Sequence, residues 1–346
     1  MKRRPRVIIA SRDGGQKLID FLVRRFTYHD RDAWNANLAQ GRVLVNGAPG
    51  LPDTVLRRDD EVEYKVPDLP EPPVPTDVPV LIEDERLLAV NKPAMLPCHP
   101  GGRFFANTLW SQLRQRHGYP FLSLIHRLDR ETSGVILLAK TPEAEKSLRT
   151  QFARRLVEKV YWVIIEGEFP DHLDAAGWLE PDPASPVRKK RQFRPGTPEE
   201  QAAAAAGPTP AKAKTQTKAD DDLADANTAA KPDWAAVVWA ETRFRLLRRA
   251  NGLSLVEARP HTGRLHQIRA TLCSLGFPVT GDKLYGLDAN FFLRFREGLL
   301  TDEDQLRLRL SRQALHAARL RCRNPQYGQE LIIEAPMPPE MAALLD

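Results

Sequence analysis

Cysteine is scarce in this 346-residue chain. Cys98, Cys273 and Cys322 stand far apart, with no CxxC pair among them. That excludes a disulfide framework and a structural zinc ribbon and suits a reducing compartment, so the expected location is the cytoplasm. No apolar run approaches the roughly 18 residues that cross a bilayer, and no membrane partner is expected. The start, "MKRRPRVIIASRDGG", is basic but carries only the short run VIIA before Ser11, too little for a secretion signal. A repeat of fixed period is absent. His261 and His266 lack a Cys or Glu at a zincin spacing, so no metal is expected.

Large apolar residues almost vanish between positions 194 and 233, "RPGTPEEQAAAAAGPTPAKAKTQTKADDDLADANTAAKPD". Such a stretch cannot bury enough surface to offset the entropy of ordering it. Strand-like patterns resume on both sides, so residues 195–233 are expected to be a disordered insertion in a loop, not a domain boundary. A second break, "VPDLPEPPVPTDVPV" at 66–80, holds six prolines and reads as an extended spacer over 67–79. Basic residues outnumber acidic ones by 51 to 45, a mild bias toward a polyanionic partner.

Ahead of the proline spacer, residues 13–66 read helix, helix, hairpin. Leu18, Leu22 and Phe26 recur every four residues, with Arg24 and Arg25 near the helix end where cations suit the dipole. Trp34 and Leu38 mark a second helix, stopped at Gly41. Arg42 then opens "RVLVNGAP", where Asn46-Gly47 makes a turn.

The densest chemistry lies in "LIHRLDRETSGVILLAKT", 124–141, where His126, Arg127, Asp129, Arg130 and Glu131 sit between two runs of strand length. Thr141-Pro142 then starts a helix, Thr as cap and Pro in the first turn, with Ala144, Leu148, Phe152 and Leu156 as its apolar face. A loop framed in this way suits ligand or catalytic groups. Spacing alone leaves open a surface loop of local ion pairs. Tyr161, in "EKVYWVIIEG", falls on a strand apolar on both faces, where its hydroxyl needs a partner. In "SLVEARPHTGRLHQIRATLCSLGFP" a strand ends at Pro260 and Thr262-Gly263 turns into a helix. Arg264, His266 and Arg269 crowd its first turns. Cations there oppose the helix dipole, which points to an anion nearby.

Together, "NKPAMLPCHPGG", "HRLDRETSGV", "KVYWVIIEG", "TGRLHQIR", "GDKLYG" and "LHA" resemble, in order, the RluA family of RNA pseudouridine synthases. "KLIDFLVRRF", "GRVLVNG" and "LRRDDEVEY" resemble the alpha-L RNA-binding domain, the type found in ribosomal small-subunit protein four. Met95 stands where glycine is usual, and Ala270-Thr271 where Val-His is usual. The resemblance implies an α+β fold: a central mixed, largely antiparallel sheet with flanking helices and loops over 80–346, plus the small N-terminal α/β RNA-binding domain. It implies a cofactor-free isomerase, acting as a monomer on structured RNA, ribosomal or transfer. Asp129 would be the catalytic aspartate, acting on the sugar as nucleophile or base. Arg269 would be its partner, and Tyr161 would pack on the uracil and help remove the carbon-5 proton. Arg127 would enter the stack vacated by a flipped base. His126, Thr132, Gly134, Arg264 and His266 would serve substrate binding or loop shape, and Arg24, Arg25 and Arg42 RNA binding. The rivals are a non-catalytic RNA-binding protein on the same scaffold and a nucleoside hydrolase or glycosylase.

Overall fold

A computed structural model describes residues 6–26, 29–65, 71–101, 104–187, 189–206, 236–288 and 290–346. The chain divides into two compact units: of the described residues, 6–65 belong to the first and those from 71 onward to the second.

In the first unit, β1 (Arg6–Ile8) precedes α1 (Leu18–Arg25) and α2 (Arg31–Ala39), followed by β2 (Val43–Val45), β3 (Ala48–Pro49) and β4 (Glu61–Tyr64). The sheet order is β1-β4-β2-β3. Asp30 caps α2 by accepting from Ala33 N at 2.8 Å. Asn46 and Gly47, with φ of 52° and 81°, turn β2 into β3, the pair of left-handed residues a tight hairpin needs. Leu18, Leu22, Trp34, Val43 and Leu56 are wholly buried in one core. Strand β1 lies outside the expected span of 13–66 but pairs along β4, Val7 opposite Val62, so the unit begins earlier than helix periodicity suggests.

The second unit is built on an 11-stranded sheet. In chain order its elements begin with β5 (Val80–Glu83), β6 (Leu87–Lys92), α3 (Leu109–His117), β7 (Ser123–Leu124), β8 (Ser133–Ala139) and α4 (Pro142–Ala153). Next come β9 (Glu158–Glu166), β10 (His172–Pro181), β11 (Arg191–Pro195), α5 (Pro198–Ala206), β12 (Val238–Ala250), β13 (Leu253–Pro260) and α6 (Gln267–Ser274). The chain closes with α7 (Asn290–Glu297), α8 (Asp302–Leu308), β14 (Leu315–Arg323), β15 (Glu330–Glu334) and α9 (Pro339–Ala342). The strand order is β11-β10-β12-β13-β9-β14-β8-β6-β5, with β15 on β14 and β7 on β8. Every pairing is antiparallel except β14 with β8, so the sheet is mixed and largely antiparallel, as expected. At that parallel join Gly134 has φ 111°, and a Cβ there would collide with the Ala317 backbone. Only glycine lets the two strands approach so closely.

Three expectations need correction. Residues 71–79 of the proline spacer are docked: the Glu71 carboxylate accepts from the backbone N of Phe105, Ala106 and Asn107, each at 2.8 Å, and Val78 is buried. Residues 66–70 lie outside the described residues. The start of the expected disordered insertion is ordered, because Arg194 and Thr197 N anchor Glu200 in the first turn of α5; residues 207–233 lie outside the described residues. Leu156 is 60% exposed, since α4 ends at Ala153 before that position returns to the core.

Candidate active site

The charged loop leaves β7 at Leu124 and enters β8 at Ser133. Both flanking strands are buried, β8 along its whole length, so the loop is anchored at each end. Lys92, fully buried at the end of β6, donates to Pro93 O at 2.8 Å, Leu96 O at 2.9 Å and Arg130 O at 3.2 Å. Burial lowers its pKa to about 8. Cys98 Sγ donates to Leu128 O at 3.3 Å and accepts from Leu128 N at 3.4 Å. The backbone on either side of Asp129 is therefore held by groups underneath it.

Asp129 Oδ2 receives Arg269 Nη1 at 2.7 Å. Arg269, in the first turn of α6, presents its other edge to Asp282: Nε to Oδ2 at 2.6 Å and Nη2 to Oδ1 at 2.9 Å. Asp282 is wholly buried, and its Oδ1 also accepts from Leu284 N and Tyr285 N at 2.9 and 3.0 Å. The guanidinium lies 5.0 Å from the centre of the Tyr285 ring. Such a two-edged grip fixes the plane of an arginine in a way lysine cannot reproduce. His266 Nδ1 and Tyr285 Oη are 3.0 Å apart.

The cluster sets protonation. Burial pushes the Asp129 carboxyl up, but the charges of His266 and Arg269 and hydrogen bonds from Arg269 and Gln313 outweigh it and hold the group at about 2. Burial drives His266 down to about 4, Asp129 opposing. The imidazole is thus charged in the range where Asp129 titrates and neutral at pH 7, where Arg269 is the remaining counter-charge. Burial also opposes charge on Arg269, yet Asp282 and then Asp129 keep it protonated well above its ordinary range.

A cavity of about 100 Å³ opens over this pair, lined by Arg127, Asp129, Thr132, Lys159, Tyr161, Arg264, His266 and Arg269 among others. Lys159 and Tyr161 alternate on one face of β9. The Tyr161 hydroxyl makes no hydrogen bond with another described residue, so the ring is not a core tyrosine tied to a carbonyl. Burial first and the Asp129 charge second raise its pKa, and the hydroxyl is protonated at neutral pH. Lys159 Nζ donates to Thr262 O at 3.2 Å, and burial beside Arg155 and Arg264 lowers its pKa to about 8.

Of the residues expected at the site, Arg127, Asp129, Thr132, Tyr161, Arg264, His266 and Arg269 line the cavity together. His126 does not: its ring stacks on Phe152 at 5.1 Å and its Nε2 accepts from Leu137 N at 3.1 Å, so it braces the loop from behind. Gly134 serves strand packing. His266, with φ 55°, caps α6, which starts only at Gln267. Arg264 and His266 therefore precede the helix instead of lying within its first turns. In the first unit Arg24 holds the buried Asp13 at 2.7 Å, Arg42 reaches Asn37 Oδ1 at 3.3 Å, and Arg25 lies 6.0 Å from the Phe26 ring. Met95 has φ 66°, a backbone region that favours the glycine usual at that position. Asp282, Tyr285, Lys159, Lys92 and Gln313 were not foreseen. "GDKLYG" and "KVYWVIIEG" were conspicuous blocks, but pattern alone assigned no partner to their other polar residues.

The pattern of the family described as RNA pseudouridylate synthase matches residues 86–274, more than half the chain. The ribosomal large subunit pseudouridine synthase C of Pasteurella multocida is 29% identical over 97% of this chain and 91% of its own. The ribosomal large subunit pseudouridine synthase D of Nitrosomonas europaea is 31% identical over 77% of this chain and 64% of its own. In fold, the structure of human RNA pseudouridylate synthase domain containing 1 aligns with a TM-score of 0.54 at 21% identity, over 79% of this chain and 90% of that one.

Proposed function

The chain belongs to the RNA pseudouridylate synthase family, and from that premise we propose that Asp129, Arg269 and Tyr161 carry out the isomerisation of uridine to pseudouridine in ribosomal RNA. The enzyme is an isomerase: the bond from uracil N1 to ribose C1′ breaks, a bond from C5 to C1′ forms, C5 loses a proton and N1 gains one. The observation that carries the assignment is the Asp129 carboxylate, ion-paired to Arg269 at 2.7 Å beneath the cavity that Tyr161 lines. Attack on the sugar, as nucleophile or base, needs an ionised carboxylate in a site that excludes water, and burial alone would protonate it. Arg269 offsets that burial, and Asp282 holds Arg269 in place.

In this reading Tyr161, which lines the cavity, supplies a face for the uracil and its hydroxyl relays the C5 proton. A uridine inside a stem or stack must be flipped out to reach this cavity. In the same reading Arg127, exposed at the rim of the cavity, fills the gap it leaves. The names of both relatives favour large-subunit ribosomal RNA over transfer RNA. The N-terminal unit, with 13 basic against 9 acidic residues in 1–66, is an RNA-binding module of the alpha-L type that adds phosphate contacts outside the catalytic unit. The test is incubation with transcribed large-subunit ribosomal RNA and with transfer RNA, followed by assay of pseudouridine and free uracil. Pseudouridine in the ribosomal RNA is expected. Free uracil would make the enzyme a hydrolase, neither product would make it a binding protein, and pseudouridine in transfer RNA alone would reassign the substrate.

A further inference from the structure

Arg130 follows Asp129 in the loop and takes no part in the Arg269 pairing. Its guanidinium carbon lies 5.6 Å from the centre of the Phe104 ring and 5.7 Å from that of Phe295, on α7. Two aromatic contacts fix the plane of the group without using its N–H donors. The closest approach to a carboxylate is Glu131 Oε1 at 3.6 Å, too long for a hydrogen bond. Glu131 is committed elsewhere: its Oε2 accepts from Lys283 Nζ at 2.9 Å, and Lys283 itself lies 4.8 Å from the Phe295 ring. Two cations thus share one carboxylate, which leaves a positive charge over. Among the described residues the Arg130 guanidinium donates no hydrogen bond, yet the side chain is 32% exposed. The backbone below it is fixed, since its carbonyl accepts from the buried Lys92.

This is a planar cation with its donors unspent, oriented by two rings, its Cα about 3.8 Å from that of Asp129. Such a fork matches two oxygens of one phosphate. We propose that Arg130, clamped between Phe104 and Phe295, binds a backbone phosphate of the substrate RNA beside the target uridine. The proposal rests on Asp129 as the carboxylate that meets the target ribose. It makes Arg130 a positioning residue, which sets the register of the strand over the cavity. A clamp with a purely structural purpose, joining α7 to the loop, would instead act on stability alone.

The two are separated by measuring RNA affinity against salt, and single-turnover pseudouridine formation at saturating RNA, for Arg130→Ala, Arg130→Lys and Phe295→Leu in the full chain. Arg130→Ala is expected to raise Kd about tenfold and to reduce the slope of log K against log salt by about 0.7 to 0.9, one phosphate contact. Arg130→Lys keeps the charge and the slope but loses the fork, so its Kd rises less. Phe295→Leu is expected to raise Kd several-fold with the slope unchanged. A wild-type Kd and slope in Arg130→Ala, even with a lowered melting temperature, overturns the proposal. If Arg130→Ala does not fold, unaltered Kd in both other variants overturns it. Asp129→Asn runs beside them: if it makes pseudouridine, the catalytic assignment fails, whereas a dead Asp129→Asn with an indifferent Arg130→Ala removes the phosphate site alone.

Discussion

Replacing Asp282 by Asn tests whether Asp129, the proposed catalytic carboxylate, is set from behind through Arg269. The Asp282 side chain is wholly buried and accepts four hydrogen bonds, two from Arg269 and two from the backbone N–H groups of Leu284 and Tyr285. Asn keeps the shape, and its oxygen can still accept from the two backbone groups. Its amide, however, turns two donors toward Arg269 Nε, where Asp282 Oδ2 now accepts at 2.6 Å. Breaking a buried ion pair from one side costs about 3–5 kcal/mol. The retained backbone contacts put this variant at the low end, about 3 kcal/mol. For a unit of this size about 2–4 °C of melting temperature goes with each kcal/mol, so a fall of roughly 6–12 °C is expected. Activity should fall further than stability explains. Arg269 would be held by Asp129 alone, and misplacement of a positioning group by about 1 Å can cost 10²-fold in rate. Differential scanning calorimetry and single-turnover pseudouridine formation well below the melting point measure the two effects. A melting temperature within about 2 °C of the parent would show that Asp282 does not hold Arg269 at that cost, and a stable variant with the parent rate would show that it does not position Arg269 for the reaction.

Tyr161→Phe loses no protein hydrogen bond, so melting and RNA affinity should stay at parent values. Without the hydroxyl the proposed proton relay is absent and single-turnover conversion should drop by about 10² or more; conversion at the parent rate removes the hydroxyl from the mechanism. Lys159, lowered to about 8 by burial, is charged below that pH and neutral above it. RNA affinity should therefore weaken from pH 7 to 9, and Lys159→Arg should flatten the profile; an equally steep profile in the Arg variant would assign the titration elsewhere. Removing residues 1–66 should leave the sheet of the catalytic unit folded while weakening RNA binding and lowering its salt slope. An affinity and slope unchanged by the truncation would contradict an RNA-binding role for the first unit.

Local features were the ones legible in the sequence. The four-residue spacing of Leu18 and Leu22 placed α1, Thr141-Pro142 fixed the start of α4, and two apolar runs framed the Asp129 loop. Arg269 drew attention because a cation at a helix start needs an anion, and Asp129 lies 2.7 Å from it although 140 residues separate the two. Distant pairings without a local signature were missed. Nothing around Glu71 announces that it caps the turn at 105–107, so the prolines near it read as a spacer. Strand β1 is three residues long and is recognisable only through β4. His126 belongs to the motif as written, but its ring stacks on Phe152 and accepts from Leu137 N, contacts that motif membership does not announce. Asp282 was hidden for a related reason: it lies 13 residues beyond Arg269, past the end of α6, and only the packing shows that it takes the other edge of that guanidinium.

The most direct test is Asp129→Asn. The change is nearly isosteric, so the loop pinned by Lys92 and Cys98 should keep its place. It removes the charge proposed to act on the ribose and releases Arg269 from one of its two carboxylates, near a phosphate-rich ligand. Under single-turnover conditions on ribosomal RNA no pseudouridine is expected, with RNA affinity equal to or tighter than the parent's. An exposed Arg–Asp pair of no catalytic use would contribute only about 0–1 kcal/mol to stability and nothing to activity. An Asn variant that forms pseudouridine at the parent rate would remove Asp129 from the chemistry.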